Sequence, residues 1–385
     1  MKENVSKKIM KALRNLFEKI EPHVKPGGKY EMLHTTYDAF YTFLFTPANT
    51  THSGVHIKDG IDLKRTMIMV VFAMVPCLLF GMWNAGHQHF LSTGETVDFM
   101  EKFLYGMKKV LPIVIVSYGV GLSVEFIFAT VKKHSIEEGF LVSGMLIPLI
   151  MPPTIPLWMV AVATIFAVIF AKEVFGGTGM NILNVALTAR VFLFFAYPSF
   201  MSGDLVWIAE QADGFSGATT LGLAAADLPI NYSFMDMFLG FEMGSIGETS
   251  ALACLIGAAI LLITGIGSWR VMLSVFGGGF LMALLLNAIG GNALLDMPAH
   301  IHLVAGGFAF GAVFMATDPV TAAQTNTGKY IYGFLIGVLA ILIRTVNPAY
   351  PEGIMLAILL MNVFAPLIDH NIIQANIKRR LARAK

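Results

Sequence analysis

The segment from Asp213 to Thr219 reads D-G-F-S-G-A-T and lies in a hydrophilic gap between very apolar stretches. It brings together one carboxylate and the hydroxyls of Ser216 and Thr219, with no base and no metal ligand in the same run. Nucleophilic catalysis needs a base beside the nucleophile, and the segment supplies none. The segment therefore has no chemistry of its own, and its function depends on what meets it.

Four ionisable side chains lie within or at the ends of long apolar runs, namely Glu125, Arg190, Asp318 and Asp369. A charged group at the centre of a membrane helix costs about 2.5 to 3.5 kcal/mol on insertion scales, so each one needs a partner or a function. One interpretation pairs Glu125 with Arg190 and places both aspartates at helix ends. The other assigns the carboxylates to the path of a hard monovalent cation, which prefers oxygen ligands.

Two further patterns offer ligand contacts. Phe310 and Phe314 are four residues apart and share one helix face, where they form either an apolar constriction in an ion path or ordinary packing. The run F-G-G-T-G-M-N-I-L-N ends in Asn181 and Asn184, and it lacks the lysine and the spacing of phosphate-binding loops. Its amides would hydrogen-bond a flat heteroaromatic ring, or an asparagine would simply cap a helix.

The elements that position these residues are membrane helices. Hydrophobic residues make up 56% of the chain and charged residues only 13%, against about 25% charged residues in soluble domains. Cys77 and Cys254 lie in apolar runs, which excludes a disulfide framework or a cysteine-ligated iron–sulfur cluster. The polar N-terminus predicts no cleavable signal peptide, and we expect membrane lipid but no nucleic acid as a partner.

The apolar segments predict an all-α polytopic membrane protein with about ten transmembrane helices. The predicted spans are 66–85, 110–131, 139–153, 156–173, 181–199, 249–267, 270–289, 301–317, 330–346 and 352–370. They divide the chain into an N-terminal segment (1–65), a first five-helix repeat (66–199), a loop (200–248), a second five-helix repeat (249–370) and a basic tail (371–385).

The distribution of Lys and Arg predicts how the helices cross the membrane. Eleven of these residues lie between Met1 and Arg65 and five between Lys378 and Lys385, so we expect both termini in the cytoplasm. The loop from Ser199 to Glu248 has none and carries seven acidic residues. This loop, with the D-G-F-S-G-A-T segment, is therefore expected on the extracytoplasmic side.

The N-terminal segment contains two patterns suited to the membrane surface. Residues 6–19 alternate basic and apolar side chains, as in a helix that lies on an anionic leaflet. Residues 34–45 are rich in aromatic side chains, which fits an interfacial belt or the cover of a quinone entrance.

The two halves share a series of interruptions, as transport folds with inverted repeats do. Each half has a span that begins at Gly-Phe and ends at Pro-X-Thr, followed later by Asn-X-Ala. These pairs are Gly139-Phe140 and Gly307-Phe308, Pro152-Pro153-Thr154 and Pro319-Val320-Thr321, and Asn184-Val185-Ala186 and Asn347-Pro348-Ala349. With five spans in each half, the second copy must be inserted upside down.

The D-G-F-S-G-A-T segment resembles the site at which a flavin transferase attaches FMN to threonine through a phosphoester. The family's pattern is an Asp, two variable residues, Ser/Thr-Gly-Ala and then the acceptor, which here corresponds to Asp213, Ser216, Gly217, Ala218 and the acceptor Thr219. The transfer needs an accessible hydroxyl on a pliable backbone. The predicted extracytoplasmic position of the loop also fits this resemblance, because that transferase acts outside the cytoplasm.

The whole chain resembles the family formed by NqrB of the sodium-translocating NADH:quinone reductase (Nqr) and RnfD of the Rnf ferredoxin:NAD complex. Resembling stretches run from K-D-G-I-D-L-K-R through A-K-E-V-F-G-G-T-G-M-N, F-L-F-F-A-Y-P and M-A-T-D-P-V-T to A-P-L-I-D-H-N-I-I-Q-A-N-I-K-R-R. The long N-terminal segment favours the Nqr branch. Val185 departs from the family, where proline is expected, and this puts the local backbone in question.

The resemblance implies a redox-driven translocase of a bacterial inner membrane, assembled with Nqr subunits A, C, D, E and F and matured by a periplasmic flavin transferase. Electrons from NADH would pass through partner subunits to FMN on Thr219, then to non-covalent riboflavin, then to ubiquinone or menaquinone, while Na⁺ moves outwards. The resemblance places riboflavin near Asn181 and Asn184, with Arg190 in the flavin region.

The same resemblance implies two less defined sites. The quinone, or inhibitors that mimic its head group, would lie near Gly121, Glu125 and the N-terminal segment. The sodium path would pass Asp318 and Asp369 beside a gate formed by Phe310 and Phe314.

Two other functions fit the sequence. An Rnf subunit would be the same kind of redox pump with a different electron donor. A secondary transporter would share the inverted repeat but carry no redox group, the S-G-A-T match being accidental. A purely structural assembly subunit is disfavoured by the apolar surroundings of Glu125 and Arg190.

Overall fold

The computed structural model describes residues 63–132, 139–347 and 350–383, together with isolated residues and short runs before residue 63. Within this part of the chain every regular element is helical, which confirms the predicted all-α class. The helices are α1 (Leu63–Thr93), α2 (Phe99–Lys132), α3 (Phe140–Leu149), α4 (Leu157–Ala167), α5 (Val185–Ala196), α6 (Pro198–Met201), α7 (Thr220–Ala225), α8 (Phe234–Leu239), α9 (Ala251–Ile263), α10 (Trp269–Ile289), α11 (Ala293–Asp296), α12 (Ala299–Val304), α13 (Phe308–Phe310), α14 (Asn326–Val346) and α15 (Ile354–Arg383). A π turn (Val168–Lys172) and a 3₁₀ turn (Glu173–Phe175) continue α4, and a second π turn (Gly311–Met315) continues α13.

Six helices are long and apolar enough to cross a membrane, so the chain is a multi-pass membrane protein. They are Leu63–Thr93, Phe99–Lys132, Leu157–Phe175, Trp269–Ile289, Asn326–Val346 and Ile354–Arg383. Three shorter apolar helices, α3, α5 and α9, coincide with three further predicted spans. The predicted span over 301–317 is not one continuous helix, because the chain breaks between Val304 and Phe308.

The long helices pack in pairs at glycines. A Cβ on Gly106 of α2 would overlap the backbone carbonyl of Met82 in α1. A Cβ on Gly337 of α14 would likewise overlap the carbonyl of Val275 in α10. Small residues allow this backbone contact, and close packing is what holds helices together where lipid removes the hydrophobic driving force between them.

Two short helical segments have a common design. Gly139 precedes α3 and Gly307 precedes α13, and in each case the first helical residue is a buried phenylalanine. Both segments end in a turn that contains proline, which cannot donate a helical hydrogen bond. This likeness supports the predicted repeat, whose inverted ten-helix form remains a prediction.

The break between α12 and α13 is held by Arg344 of α14, which is fully buried. Its guanidinium donates to the carbonyl oxygens of His302 at 2.8 Å and Ala305 at 3.2 Å. These carbonyls at the end of a helix would otherwise lack partners in a region without water. No sequence pattern distinguishes Arg344, because a basic residue near the end of a predicted span is ordinary.

The last helix, α15, runs unbroken to Arg383, so the predicted boundary at residue 370 is not a structural one. Asp369 therefore lies inside a helix, which corrects its placement at a helix end. Its carboxylate accepts hydrogen bonds from the backbone N–H of Gln324 at 2.6 Å and from the backbone N–H and hydroxyl of Thr325 at 3.0 and 2.6 Å. Asp369 thus caps the N-terminus of α14.

The loop between α6 and α9 is folded against the helices. Its own small apolar cluster consists of Val206, Trp207, Ile208 and Met243. At its edge Glu210 accepts hydrogen bonds from Lys109 at 2.5 Å and Tyr105 at 2.8 Å, both on α2. The Lys109 ammonium and the Tyr105 hydroxyl hold the pKa of Glu210 below its ordinary value. The loop is therefore fastened to the first helix pair.

Candidate functional site

Two cavities lie at opposite ends of the short helices. The larger, called here the Thr219 cavity, has a volume of about 320 Å³ and is lined by the folded loop, α5 and the turn before α15. The smaller, called the Asn184 cavity, has a volume of about 90 Å³ and is lined by α3, both π turns and the residues that precede α5. Thr219 and the asparagines selected from the sequence thus lie in separate sites.

The short helices connect these cavities in opposite directions. Helix α3 begins after Gly139 at the Asn184 cavity, and the carbonyl oxygen of Ile150 at its end accepts a hydrogen bond from Arg190 of the Thr219 cavity. Helix α13 with its π turn runs the other way, from Gly307 at the Thr219 cavity to Phe314 at the Asn184 cavity. Opposite directions are what an inverted repeat requires.

Thr219 is the N-cap of α7 and faces the larger cavity. Its Oγ1 accepts a hydrogen bond from the backbone N–H of Gly222 at 3.1 Å, which satisfies one of the free N–H groups of the first turn. A threonine hydroxyl has one proton and two acceptor positions, so this bond leaves the proton free. The half-buried hydroxyl is therefore ordered and still open to modification.

The remainder of D-G-F-S-G-A-T has a fixed shape. Gly214 has a φ of 81°, a left-handed conformation that favours glycine. A Cβ on Gly217 would overlap a backbone carbonyl of the same loop, whereas Asp213 and Ser216 are exposed. Ala218 is buried. The glycines serve close packing and a tight turn, and the pliable backbone that the transfer needs stays a prediction.

Arg190 is buried in the wall of the Thr219 cavity. Its guanidinium donates to Glu248 at 2.8 Å, to both carboxylate oxygens of Glu352 at 2.6 Å and to the carbonyl oxygen of Ile150 at 2.6 Å. The alternative that pairs Arg190 with Glu125 is wrong, and Arg190 lines the Thr219 cavity and not the Asn184 cavity. Neither glutamate was selected from the sequence, since each lies at the boundary of a predicted span, where acidic residues are common.

Glu242 is a second buried carboxylate of the Thr219 cavity. It accepts a hydrogen bond from the hydroxyl of Thr220, the residue after the predicted acceptor. Among the described residues it has no salt-bridge partner within 4.0 Å. Burial raises the pKa of Glu242 from an ordinary value of 4.5 to about 7. This carboxyl group can therefore gain or lose a proton near neutral pH.

The polar groups of the Thr219 cavity are suited to a ligand. The hydroxyl of Tyr350 and Oε1 of Glu248 are buried and have no hydrogen-bond partner among the described residues. Buried polar atoms are normally partnered, so these two mark positions where a ligand could contribute. A volume of about 320 Å³ is within the usual range for small-molecule sites. The cavity therefore fits the tethered flavin that the resemblance implies.

Asn184 lies at the centre of the smaller cavity and is buried. Its Oδ1 accepts a hydrogen bond from the backbone N–H of Leu187 at 3.2 Å, so the helix-cap interpretation is confirmed. Its Nδ2 donates to Asp318 at 3.3 Å. Val185 is the first residue of the helix, where the proline expected from the resemblance would also fit, because the N–H there needs no helical partner.

Asn181 is the less constrained of the two amides. Its one recorded hydrogen bond within the described part of the chain runs from Nδ2 to the carbonyl oxygen of Leu183 at 3.4 Å. The other N–H and the amide oxygen remain available at the cavity. The donors and acceptors of Asn181 therefore fit a flat heteroaromatic ring, and an enclosed volume of about 90 Å³ implies that part of such a ring lies in the mouth.

Glu125 forms a buried ion pair with Lys172 at the end of the first π turn. Lys172 lines the Asn184 cavity, and Glu125 lies behind it on α2. Sequence reasoning missed Lys172, because a basic residue at the end of an apolar run ordinarily indicates only topology. Gly121, one turn earlier on α2, is covered by the ring of Phe140, which a Cβ at this position would overlap.

The residues of the expected sodium path are only partly together. Asp318 and Phe314 both line the Asn184 cavity, and the rings of Phe310 and Phe314 are in contact with centroids 4.9 Å apart. Asp369 does not line either cavity and is occupied as the cap of α14. Within the described residues no group of three or more His, Cys, Asp or Glu side chains is placed to hold a metal ion.

The architecture and its two cavities can be compared with known proteins. The model of the NQR2, RnfD, RnfE family matches residues 50–378. The chain belongs to this family. The family predicted from the sequence is thereby confirmed, and the match covers the helices described above except for the last five residues of α15.

Individual relatives indicate which members of the family this chain resembles. The NqrB subunit of the Na(+)-translocating NADH-quinone reductase from Chromohalobacter salexigens is 50% identical over 96% of this chain and 96% of its own length. The NqrB subunit from Pseudomonas paraeruginosa is 49% identical over 96% of this chain and 99% of its own. The one from Azotobacter vinelandii is 50% identical with the same coverage. The chain is thus similar to these family members over nearly its full length.

Proposed function

We propose that this chain is the membrane subunit of a sodium-pumping NADH:quinone oxidoreductase. It carries FMN on Thr219, holds riboflavin in the Asn184 cavity and passes electrons to ubiquinone or menaquinone while Na⁺ is exported. Support comes from the NqrB relatives, which are named for a Na(+)-translocating NADH-quinone reductase and are about half identical over 96% of this chain.

The observation that carries the proposal is the position of Thr219. Its hydroxyl faces a cavity of about 320 Å³ whose wall contains unpartnered polar atoms, and among the described residues its hydrogen bond is to the backbone N–H of Gly222 and not to a base. A hydroxyl of this kind suits attachment of a group by another enzyme. When bound, a flavin supplies the one- and two-electron chemistry that protein side chains lack.

The residues around Thr219 would orient the attached ring. The cap bond to Gly222 fixes the direction of the Thr219 side chain, and the free hydroxyl of Tyr350 is placed to donate to a ring heteroatom. Arg190, neutralised by Glu248 and Glu352, holds the ends of three chain segments together at this cavity. Its part is to keep the cavity in shape.

The second flavin is assigned to the Asn184 cavity. The free amide groups of Asn181 would hydrogen-bond the edge of an isoalloxazine ring, and Asn184 would keep α5 and Asp318 in place behind it. The aliphatic and aromatic lining, including Phe314, suits a flat apolar ring. Each cavity thus receives one flavin, at either end of the same short helices.

The quinone site, the sodium path, the membrane topology and the partners are proposed from the resemblance. The quinone would meet the chain near Gly121 and Glu125, and Na⁺ would pass Asp318 and the contact between Phe310 and Phe314, with Asp369 acting through the N-terminus of α14. The chain would lie in the bacterial inner membrane with both termini in the cytoplasm and ten spans in two inverted repeats. Nqr subunits A, C, D, E and F and the periplasmic flavin transferase would be its partners.

Membership of a family that includes Rnf subunits keeps an Rnf-type donor as the second candidate. The two candidates differ in the electron donor and share the flavin on Thr219. The purified complex distinguishes them, since NADH reduces an Nqr complex and ferredoxin works with an Rnf complex.

The test of the proposal is flavin fluorescence of the chain after denaturing electrophoresis. The complex is produced in cells that contain the transferase, and a fluorescent band is expected for the wild type and for Ser202→Ala, which removes another hydroxyl of the same cavity and leaves the acceptor pattern intact. Thr219→Val removes the hydroxyl at nearly constant volume and should give a dark band at normal protein yield. A dark wild-type band would favour a transporter without a redox group.

A further inference from the structure

Two π turns meet at the Asn184 cavity. The first, Val168–Lys172, ends in Lys172, and the second, Gly311–Met315, contains Phe314. Both of these side chains line the cavity. The extra residue in a π turn rotates the side chains that follow by about 100° relative to a regular α-helix, and such turns are frequent at functional sites. Each turn brings a side chain to the cavity wall.

The ammonium group of Lys172 is unusual in its surroundings. It is 4% exposed and is paired with the carboxylate of Glu125 on α2. An ammonium has three N–H groups, and within the described residues only the bond to Glu125 is recorded for it. Lys172 borders the cavity and Glu125 does not. The wall of the cavity therefore contains a buried cation with donors to spare.

The carboxylate of Asp318, the other charged group at the cavity, already has hydrogen-bond partners within the protein. The carboxylate of Asp318 accepts hydrogen bonds from Asn184 at 3.3 Å, from the backbone N–H of Val320 at 3.0 Å and from the hydroxyl of Thr321 at 3.1 Å. The free donors at this cavity include those of Lys172 and Asn181. A set of free donors with one positive charge favours a ligand whose ring carries carbonyl oxygens, because hydrogen bonds from charged donors to such oxygens are the stronger ones.

We infer that Lys172 is a flavin-binding residue of the Asn184 cavity and that Glu125 is a positioning residue that acts through it. Lys172 donates to a carbonyl oxygen of the riboflavin ring. Glu125, from behind, holds the ammonium in place and offsets the energetic penalty of burying its charge. The inference rests on the proposed riboflavin site. It also gives Glu125 an indirect role in place of direct contact with the quinone.

The experiment uses the purified complex and measures riboflavin affinity. The complex is dialysed against a series of riboflavin concentrations. At each concentration the acid-extractable flavin is measured and divided by the amount of flavin that remains bound to the chain. The central variant exchanges the two charges, Lys172→Glu with Glu125→Lys, which keeps the ion pair and puts a carboxylate at the cavity. The control, Lys132→Gln, changes a lysine that pairs with Glu173 at 3.6 Å and does not border the cavity.

The charge exchange should weaken riboflavin binding by about tenfold or more, the usual effect of losing a hydrogen bond from a charged donor. Lys132→Gln should bind as the wild type does. If the exchanged pair does not assemble, as judged by chain-bound flavin on Thr219, the neutral pair Lys172→Gln with Glu125→Gln takes its place with the same expectation.

Wild-type riboflavin affinity in the exchanged or the neutral pair would overturn the inference, because the pair would then be only structural. The inference also fails if the variants weaken binding of a quinone analogue and leave riboflavin binding unchanged. Asn181→Ala shows whether the inference about Lys172 or the underlying riboflavin site has failed. If it also leaves riboflavin affinity unchanged, the riboflavin site itself is not at this cavity.

Discussion

The Thr219 and Asn184 cavities differ in how their polar groups are used. In the Thr219 cavity the guanidinium of Arg190 has its donors occupied by two carboxylates and a carbonyl oxygen. In the Asn184 cavity the ammonium of Lys172 has one recorded partner among the described residues, and Asn181 has free amide groups. The charged donor of the larger cavity is therefore occupied by protein groups, whereas the smaller cavity retains a charged donor for a ligand.

This difference explains why one chain would use two ways of holding a flavin. A cavity of about 320 Å³ whose strongest donors are already occupied grips a ligand weakly, so a covalent bond to Thr219 supplies the attachment. A cavity of about 90 Å³ with a buried cation and a free amide can bind reversibly through directed hydrogen bonds. Substitutions in the two cavities should therefore have different effects on stability and on flavin content.

The largest effect is expected from Arg190→Met. The buried carboxylate of Glu248 and the half-buried one of Glu352 would lose their partner, and removing one side of a buried ion pair destabilises a protein by about 3 to 5 kcal/mol. The thermal unfolding temperature of the detergent-solubilised complex should fall sharply. Combining Arg190→Met with Glu248→Gln and Glu352→Gln removes the stranded charges and should recover most of the loss. An unchanged unfolding temperature for Arg190→Met alone would show that the cavity is not held by this network.

A pH-dependent effect is expected from Glu242. The pKa of Glu242 is about 7 in the folded protein and 4.5 in the unfolded chain. Between pH 4.5 and pH 7 this carboxyl group is therefore protonated in the folded protein and ionised in the unfolded chain. Stability therefore falls as the pH rises from 4.5 towards 7, by up to about 3 kcal/mol, and the loss is complete above pH 7. Glu242→Gln has no such titration, so its advantage over the wild type should grow across that window.

Glu210→Gln provides the control for this experiment. The pKa of Glu210 is lowered by Lys109 and Tyr105, so any stability it contributes is present above its ordinary pKa and is lost as the pH falls below it. The titration of Glu210 therefore lies below the range from pH 5 to pH 8, where the stability difference between Glu210→Gln and the wild type should change little with pH. Parallel unfolding curves for Glu242→Gln and the wild type from pH 5 to pH 8 would contradict the burial of an uncompensated carboxyl group.

A smaller effect distinguishes the two asparagines. Asn184→Ala removes a helix cap and should cost about 1 kcal/mol, which Asn184→Ser should largely restore because its hydroxyl can also cap. Asn181→Ala should leave stability unchanged, since its amide makes one long hydrogen bond of 3.4 Å. Thermal unfolding measures all three, and equal losses for Asn181→Ala and Asn184→Ala would contradict their different roles.

The smallest effect is expected at the edge of the folded loop. Lys109→Ala removes a largely exposed salt bridge to Glu210, and such pairs contribute about 0 to 1 kcal/mol that salt screens further. Unfolding temperatures in low and high salt should therefore differ less for the variant than for the wild type. A loss comparable to that of Arg190→Met would mean that the loop, and not the arginine network, holds the Thr219 cavity.

Much of the fold is readable from the sequence because lipid restricts the choice of structure. Long apolar runs must be helices, since only helices satisfy their backbone groups internally, and each predicted span contains helical residues. The break near Ala305 was not predictable, because it depends on Arg344, a residue of another helix that bonds the exposed carbonyls. The continuation of α15 to Arg383 was obscured by its charged residues, which look like a tail in composition.

The residues of the two sites also divide into those that a local sequence pattern reveals and those that depend on contacts between distant parts of the chain. Thr219 and Asn184 could be selected because a local pattern marks each one, a motif that resembles an acceptor site in one case and the start of a helix in the other. The partners of Arg190 and Glu125 were not found, because pairing joins residues distant in the chain. Glu352 is 162 positions from Arg190, and Lys172 is 47 from Glu125. Both pairs arise only when the short helices pack.

The central claim is that each cavity holds its own flavin in its own way. It is tested by dividing the flavin of the purified complex into a chain-bound and an acid-extractable fraction, for the wild type, Thr219→Val and Asn181→Ala. We predict that Thr219→Val loses only flavin bound to this chain and that Asn181→Ala loses only extractable flavin, in the presence of limiting riboflavin. If Thr219→Val kept its chain-bound flavin, or if Asn181→Ala lost that fraction and retained the extractable one, the assignment of two flavins to two cavities would be contradicted.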